Sequence, residues 1–152
     1  MEGTQIDIKI ATVEDREAIL KLVEENAILL GEKSENFAFA ADYILKDINY
    51  GFFIYAYDTA SKEPLGFMLF TYEWSDWRDG LFFWLQSVHV AETHRQSGIF
   101  KKMSAFLDGY TKERGSCGIR LYYDKVQRDK WQPVIKELKL KESHYFIFHV
   151  DN

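Results

Sequence analysis

Residues 88–103 read VHVAETHRQSGIFKKM, and three local patterns meet within them. An apolar strand pattern leads into a short polar loop, and a helical pattern opens near Gly98. Arg95, Lys101 and Lys102 crowd the start of this helix, although its amino end already carries about half a positive charge. Free backbone N–H groups, a glycine and basic side chains suit a phosphate or pyrophosphate. The alternative is a solvated basic turn without a ligand.

The composition indicates one soluble globular domain over residues 1–152. Hydrophobic residues make up 47% and aromatic residues 16%, which is enough for a sizeable core. A net charge of −5 lacks the basic footprint of nucleic-acid-binding proteins, so no nucleic-acid partner is expected. Cys117 is the only cysteine, which excludes an internal disulfide and a cysteine-rich zinc site. Without a leader pattern at Met1–Ile10 or a bilayer-length apolar run, we expect a cytoplasmic protein with no membrane partner.

The hydrophobic pattern predicts an α/β fold, with a mixed central sheet and helices on both of its faces. Predicted strands are Gln5–Ala11, Phe52–Tyr57, Leu65–Glu73, Leu81–Val90, Cys117–Asp124 and Lys141–Val150. Predicted helices follow Thr12 and Ser34 and span Gly98–Arg114 and Arg128–Leu138, with polar loops at Asp58–Pro64 and Trp74–Gly80. Three consecutive strands with short connections form an antiparallel meander, and the helix after them implies a parallel crossover.

The strand order and the Arg-x-x-Gly-x loop at Arg95–Phe100 resemble those of the GCN5-related N-acetyltransferases (GNATs). This resemblance covers nearly the whole chain and is strongest over Gly66–Arg120. Within it, the runs FTYEWSDWR at residues 70–78 and QSVHV at residues 86–90 are similar to a small bacterial-type subgroup. That subgroup is distantly similar to diamine and polyamine acetyltransferases.

The resemblance implies transfer of an acetyl group from acetyl-CoA to a primary amine of a small molecule, by direct attack in a ternary complex. The backbone of Val88, His89 and Val90 would pair with the pantetheine arm like an added strand. Arg95 would brace the loop or contact a phosphate oxygen. The pyrophosphate would be held by the backbone N–H groups of Gln96, Ser97, Gly98, Ile99, Phe100 and Lys101.

Two positions depart from the family pattern. Phe100 stands where glycine or alanine is usual, which is tolerable if its side chain turns into the core. In the last helix, Ile135 falls where a tyrosine commonly protonates the leaving thiolate, and Arg128 falls near a usual asparagine. Arg128 still suits a phosphate or the pantetheine carbonyl. A thiol pKa of about 8.5 lets the thiolate leave tolerably without a proton donor. Alternative acids are Tyr122, Tyr123 and Tyr145, of which Tyr123 is kept as the candidate.

Glu73 and Gln86 are the candidate catalytic residues on the strands. Glu73 precedes an aromatic loop, so it could accept the amine proton through water or hold a cationic amine, or simply lie in solvent. Gln86 interrupts an apolar strand, and a buried amide there would orient water or substrate, or be a satisfied core group. His89 has a suitable pKa for a base, but strand alternation can turn it to the other face.

The aromatic loop supplies the candidate amine site. Tyr72, Trp74, Asp76 and Trp77 combine aromatic rings with a carboxylate, which suits an ammonium ion through cation–π contact. The alternative is a loop stabilised by packed tryptophans. A closed aromatic pocket favours a small acceptor over a peptide, and no ligand spacing predicts a metal site.

Two rival functions remain open. Ile135 and Arg128 also fit a catalytically degenerate CoA-binding or regulatory module, and an open groove would fit acetylation of a protein or peptide amine. By analogy with relatives, the aromatic segment Tyr145–Phe148 is a possible homodimer contact.

Overall fold

The computed structural model describes residues 3–152. The chain divides into two compact units, one ending at Leu121 and one running from Tyr122 to Asn152. The expectation of a single domain over residues 1–152 stays a prediction.

Five strands form one mixed sheet in the order β1-β2-β3-β4-β5. They are β1 (Ile6–Ile10), β2 (Gly51–Asp58), β3 (Pro64–Ser75), β4 (Gly80–Val90) and β5 (Gly118–Arg120). The first four strands are antiparallel neighbours, whereas β5 runs parallel to β4. The predicted meander and parallel crossover are therefore confirmed, because helix α3 (Ile99–Glu113) carries the chain from β4 to β5.

Helices α1 (Arg16–Leu30) and α2 (Glu35–Lys46) cover one face of the sheet. The chain enters α1 through a predicted capping box, in which the Thr12 N–H donates to Asp15 Oδ2 at 2.9 Å. Fully burying a large apolar side chain contributes roughly 1.5–3 kcal/mol, so the shared cluster is a main source of stability. Its large buried members are Ile19, Leu22, Val23, Leu45, Phe53, Tyr55, Phe67 and Leu69.

Helix α3 packs on the opposite face. Two neighbouring residues of β2 show this, since consecutive strand residues point to opposite sides of a sheet. The Phe52 ring lies 4.9 Å from the Tyr110 ring of α3, whereas Phe53 packs under α1 and α2. Gly66 allows the close approach: a Cβ there would lie 2.8 Å from the His89 carbonyl oxygen and 3.4 Å from the side chain of Ile99. The prediction of helices on both faces is thus confirmed.

Two predicted boundaries inside the sheet are wrong. The predicted loop Trp74–Gly80 shrinks to residues 76–79, because Trp74 pairs with Leu81 and Ser75 with Gly80. The predicted strand Cys117–Asp124 is reduced to β5, since only three of its residues pair with β4. Cross-strand pairs decide where a strand ends, and they are long-range in sequence.

The second unit contains α4 (Arg128–Glu137), which ends one residue before the predicted boundary and accommodates Pro133. The predicted strand Lys141–Val150 is wrong, because these residues carry no regular secondary structure. Phe146 and Phe148 are 86% and 91% exposed. Strand propensity reflects packing against neighbouring strands, which an alternating pattern does not itself supply.

Candidate functional site

Strand β4 has a bulge on its β3 side and an unpaired stretch on its β5 side. Leu69 pairs with Ser87 but Phe70 pairs with Leu85, so Gln86 is an extra residue on β4. On its other side, β4 pairs with β5 only over Phe82–Trp84. In the part of the chain that the structure describes, β4 therefore continues past the bulge to Val90 with no β5 partner. An extended ligand can add to such an edge.

The loop after β4 has the backbone geometry of an anion site. Gln96 and Gly98 have φ angles of 65° and 80°, in the left-handed region that favours glycine, and α3 begins at the next residue, Ile99. Within residues 3–152, no backbone acceptor pairs with the N–H groups of residues 96–101. Unpaired N–H groups at the start of a 15-residue helix favour a phosphate, through hydrogen bonds and the helix dipole.

Side chains of the loop hold this geometry. The Arg95 Nε donates to the carbonyl oxygen of Val90 at 3.4 Å, and the Ser97 hydroxyl donates to the carbonyl oxygen of His94. Phe100 is half-buried at the helix start. Arg95 thus contacts the end of β4, which corresponds to the bracing alternative of the sequence interpretation.

Glu73 is engaged by two donors. Its Oε1 accepts from the Arg120 Nη1 and its Oε2 from the Trp84 Nε1, both at 2.6 Å. The Arg120 guanidinium also lies 3.7 Å from the centre of the Phe82 ring. The Glu73 side chain is 38% exposed. The alternative of a carboxylate that simply lies in solvent is therefore wrong, because a protein donor fixes each of its two oxygens.

Gln86 lies at the bulge and is exposed, so the expectation of a buried amide is wrong. The extra residue leaves the regular alternation of the strand and is displaced outward. Its Nε2 donates to Thr71 Oγ1 at 2.8 Å. Thr71 is two residues from Glu73 on β3, so Gln86 and Glu73 share one face of the sheet.

The structure does not gather the predicted substrate residues into a closed pocket. Trp74 and Trp77 are 61% and 94% exposed, and the Asp76 carboxylate accepts the Trp77 N–H at 3.0 Å. Neither the closed aromatic pocket nor the packed-tryptophan alternative is present, because the short hairpin tip projects these rings into solvent.

Tyr72 lies on the opposite face of the sheet from Glu73. Its ring lies 5.9 Å from that of Phe52, among the residues packed under α3. Burial raises the pKa of Tyr72 to about 12, and its hydroxyl has no hydrogen-bond partner within residues 3–152. The expectation that Tyr72 joins the amine site is therefore wrong, because strand alternation turns it away from Glu73.

His89 is a buried residue whose side chain points towards α1. Its Nε2 lies 3.2 Å from Glu25 Oε1, and its side chain is 2% exposed. The His89 side chain is thus engaged on the α1 face, as the alternation with Val88 and Val90 suggested. The sequence did not predict the contacts of four further residues, because only strand register and helix packing bring them to these positions. These residues are Glu25, Thr71, Trp84 and Arg120.

In the second unit, Tyr123 and Arg128 lie just before and at the start of α4. The Tyr123 ring stacks with that of Trp131 at 6.4 Å, and exposed Arg128 begins α4. Ile135 is half-buried on α4.

Within residues 3–152, no group of three or more histidine, cysteine or acidic side chains is placed to hold a metal ion. None of the helices in this range is both long and apolar enough to cross a bilayer.

Solved structures share this architecture over almost the full chain. A possible acetyltransferase from Clostridium difficile 630 superimposes with a TM-score of 0.85 and 25% identity, covering 97% of both chains. The chain has the GNAT acetyltransferase fold. No protein-family model and no curated protein matches it.

Two further GNAT folds are more distant in sequence. Ribosomal-protein-alanine N-acetyltransferase from Brucella melitensis biovar Abortus 2308 has 18% identity and a TM-score of 0.76, covering 97% of this chain and 99% of its own. Aminoglycoside N-acetyltransferase AAC(6')-Iy, solved in complex with CoA, has 17% identity and a TM-score of 0.74, covering 99% and 97%. These likenesses concern the GNAT fold.

Proposed function

We propose that the chain is an acetyl-CoA-dependent N-acetyltransferase that acetylates a primary amine of a small molecule. The observation that carries the proposal is the set of unpaired N–H groups of residues 96–101 at the start of α3, directly after an open β4 edge. A pyrophosphate attached to an extended arm of amides matches both features at once. Neighbours of the same fold that are solved with CoA or with a CoA-linked analogue support this choice.

The donor site follows from the order of these two features. The pantetheine amides pair with the backbone of Val88, His89 and Val90, and the pyrophosphate binds the N–H groups of residues 96–101. Arg95 keeps the loop in shape through its hydrogen bond to Val90. The acetyl thioester then lies farther along β4, towards the Gln86 bulge. A contact of Arg128 with a phosphate or the pantetheine carbonyl stays a prediction.

The chemistry is direct transfer between two bound molecules. The lone pair of the neutral amine attacks the thioester carbonyl carbon, the C–S bond breaks and CoA leaves as thiolate. The amine loses one proton, which passes through water to solvent, and the thiolate takes up another. Because a thiol pKa near ~8.5 makes thiolate a tolerable leaving group, Ile135 does not prevent the reaction. Tyr123 stays the proposed proton donor.

Glu73 serves best as a positioning residue in this scheme. Both of its oxygens already accept hydrogen bonds, from Arg120 and Trp84, so taking the amine proton would require a contact to open. Gln86, hydrogen-bonded to Thr71, is exposed at the bulge and is the proposed residue that orients the amine or its water.

The acceptor is proposed to be a small amine. Two of the similar structures are aminoglycoside acetyltransferases by name, whereas another is named for a ribosomal protein, so the peptide-amine alternative is tested in parallel. The charge of Glu73 is balanced by that of Arg120, so this pair offers no net negative charge to a cationic amine. Selection of a polyamine would therefore depend on other residues, of which Trp74, Asp76 and Trp77 are the candidates. The cytoplasmic location and the homodimer through Tyr145–Phe148 stay predictions.

A thermal-shift titration with CoA and acetyl-CoA tests the donor site. At 100 times Kd, binding stabilises a protein by about 2.7 kcal/mol, which for this length corresponds to a rise in Tm of about 5–10 °C. We expect this rise in the wild type and its loss in Gly98→Glu, because a carboxylate at the loop repels pyrophosphate and a side chain strains the left-handed backbone of Gly98. Gly109→Glu is the matched control, since Gly109 lies on α3 with open space around it.

The outcome separates the open functions. No rise in the wild type at millimolar CoA contradicts the proposal. A rise without acetyl transfer to a panel of small amines and amino-terminal peptides supports the CoA-binding module instead. Restored transfer in Ile135→Tyr would trace that loss to the missing tyrosine.

A further inference from the structure

Glu25 of α1 is the residue that ties this helix to the segment before the loop. Its Oε1 accepts the backbone N–H of Glu92 at 2.9 Å and lies 3.2 Å from Nε2 of buried His89. His89 is the second-last residue of β4, and Glu92 opens the 3-10 turn Glu92–His94. One carboxylate oxygen therefore spans the junction between the strand and the loop.

The Glu92 N–H needs such a partner. It is the first donor of a helical turn, and donors at that position find no acceptor within the turn itself. Elsewhere a preceding side chain usually caps such a turn, but here residue Ala91 has no acceptor side chain. Glu25 supplies the cap from a different element, so the direction in which the chain leaves β4 depends on α1.

The turn directly precedes the N–H groups proposed to bind pyrophosphate. Arg95 follows it and contacts Val90 at 3.4 Å, and His94 Nε2 lies 4.0 Å from Glu63 Oε2 of the β2–β3 turn. Both contacts are longer than that between Glu25 and Glu92. The Glu25 hydrogen bond is thus the shortest of these three side-chain contacts at the start of the loop.

We propose that Glu25 is a positioning residue for CoA binding, which holds the Glu92–His94 turn so that the N–H groups of residues 96–101 converge on the pyrophosphate. This inference rests on the proposed function. Glu25 acts through the backbone and does not itself touch the ligand, which is consistent with a carboxylate being kept away from phosphate. A loop released at this point would bind pyrophosphate with the same groups but at an ordering cost.

The test measures the Kd for CoA by isothermal titration calorimetry. Glu25→Ala is expected to raise the Kd for CoA about tenfold, which is the size of effect expected from the loss of one hydrogen bond to a charged group. Glu25→Gln is expected to stay within about threefold of the wild type, because its amide oxygen still accepts the Glu92 N–H. Glu24→Ala is the control, since Glu24 is the exposed neighbour on the same helix.

A second pair of variants removes the other end of the same hydrogen bond. Glu92→Pro deletes the donor at the first position of the turn, where proline is favoured. The preceding Ala91 has φ −48° and ψ 132°, which is compatible with a following proline. Glu92→Ala keeps the N–H and is the control. We expect Glu92→Pro to weaken CoA binding about tenfold, as Glu25→Ala does, with no further loss in the double variant.

Hydrogen exchange separates positioning from loss of stability. In CoA-saturated protein, the amides of residues 96–101 should exchange faster in Glu25→Ala than in the wild type. A variant that is only less stable would bind CoA with the wild-type Kd below its Tm, and these amides would exchange as in the wild type. Unchanged Kd in Glu25→Ala and Glu92→Pro, or an equal loss in Glu24→Ala, would overturn the inference while leaving the proposed function intact. Absence of CoA binding in the wild type would overturn both.

Discussion

At the scale of single residues, Glu73 is the position where the structure most changes the chemical interpretation. As the last residue of a predicted strand it suggested a base or a cation ligand. In the fold, Arg120 and Trp84 donate to its two oxygens, and Arg120 also stacks on Phe82. Because both oxygens already accept hydrogen bonds, this arrangement suits a carboxylate that holds its neighbours in place better than one that must open a contact in each turnover.

The positioning role predicts coupled losses at Glu73 and Arg120. Glu73→Gln and Arg120→Met should each lower kcat/KM about tenfold, and the double variant should be no worse than either, because each disrupts the same pair. The measurement is release of free CoA thiol from acetyl-CoA with a panel of primary amines. A loss of about 10²–10⁴ in Glu73→Gln, with Arg120→Met nearly unaffected, would restore the general base.

At the scale of elements, the distance between α3 and the sheet decides whether the N–H groups at the start of α3 lie beside the β4 edge. Gly66 makes that distance possible, since a Cβ would lie 3.4 Å from the side chains of Ile99 and Met103 of α3. The same Cβ would meet the His89 carbonyl oxygen at 2.8 Å, and this oxygen is β4 backbone that cannot move without displacing the strand. The glycine thus links the packing of the helix to the geometry of the donor site.

Gly66→Ala is therefore expected to destabilise the fold by about 1–3 kcal/mol, as overpacking does. Gly109→Ala is the matched control on α3: its Cβ meets open space, and alanine in a helix interior should stabilise by roughly 0.5–1 kcal/mol. Denaturant unfolding at fixed pH measures both. Equal stability of Gly66→Ala and the wild type would mean that β4 and α3 do not approach Gly66 this closely.

At the scale of the whole molecule, burial of two tyrosine hydroxyls is expected to make stability depend on pH in the alkaline range. Burial raises the pKa of Tyr55 and Tyr72 from 10.0 to about 12. The folded form keeps these phenols neutral, whereas the unfolded chain loses their protons first as the pH rises. Their contribution is thus complete below the unfolded pKa and is lost as the pH rises through the folded pKa.

We expect the free energy of unfolding to fall between about pH 10 and 12. Tyr72→Phe should flatten that fall and leave stability at pH 8 unchanged or higher, because its buried hydroxyl has no partner within residues 3–152. Tyr50→Phe, at a 60% exposed position, is the control. Urea unfolding at a series of pH values provides the measurement, and an equally steep fall in Tyr72→Phe would contradict the assignment.

Local patterns in the sequence were sufficient for much of the architecture. Alternating apolar residues predicted the meander, helical spacing and capping signals predicted the helices, and Gly98 with its neighbours predicted the loop at the start of α3. These features depend on residues close together in the chain, whose backbone preferences act before any packing. The donor half of the candidate site was therefore visible in residues 88–103 alone.

The acceptor side depended on tertiary structure. A single extra residue at Gln86 shifts the β3–β4 register, and that register decides that Glu73 meets Trp84 while Tyr72 faces α3. Helix packing brings Glu25 to the Glu92 N–H, 67 residues away in sequence. Such contacts are absent from local patterns because they arise only when distant strands and helices pair, and pairing determines which face each side chain occupies.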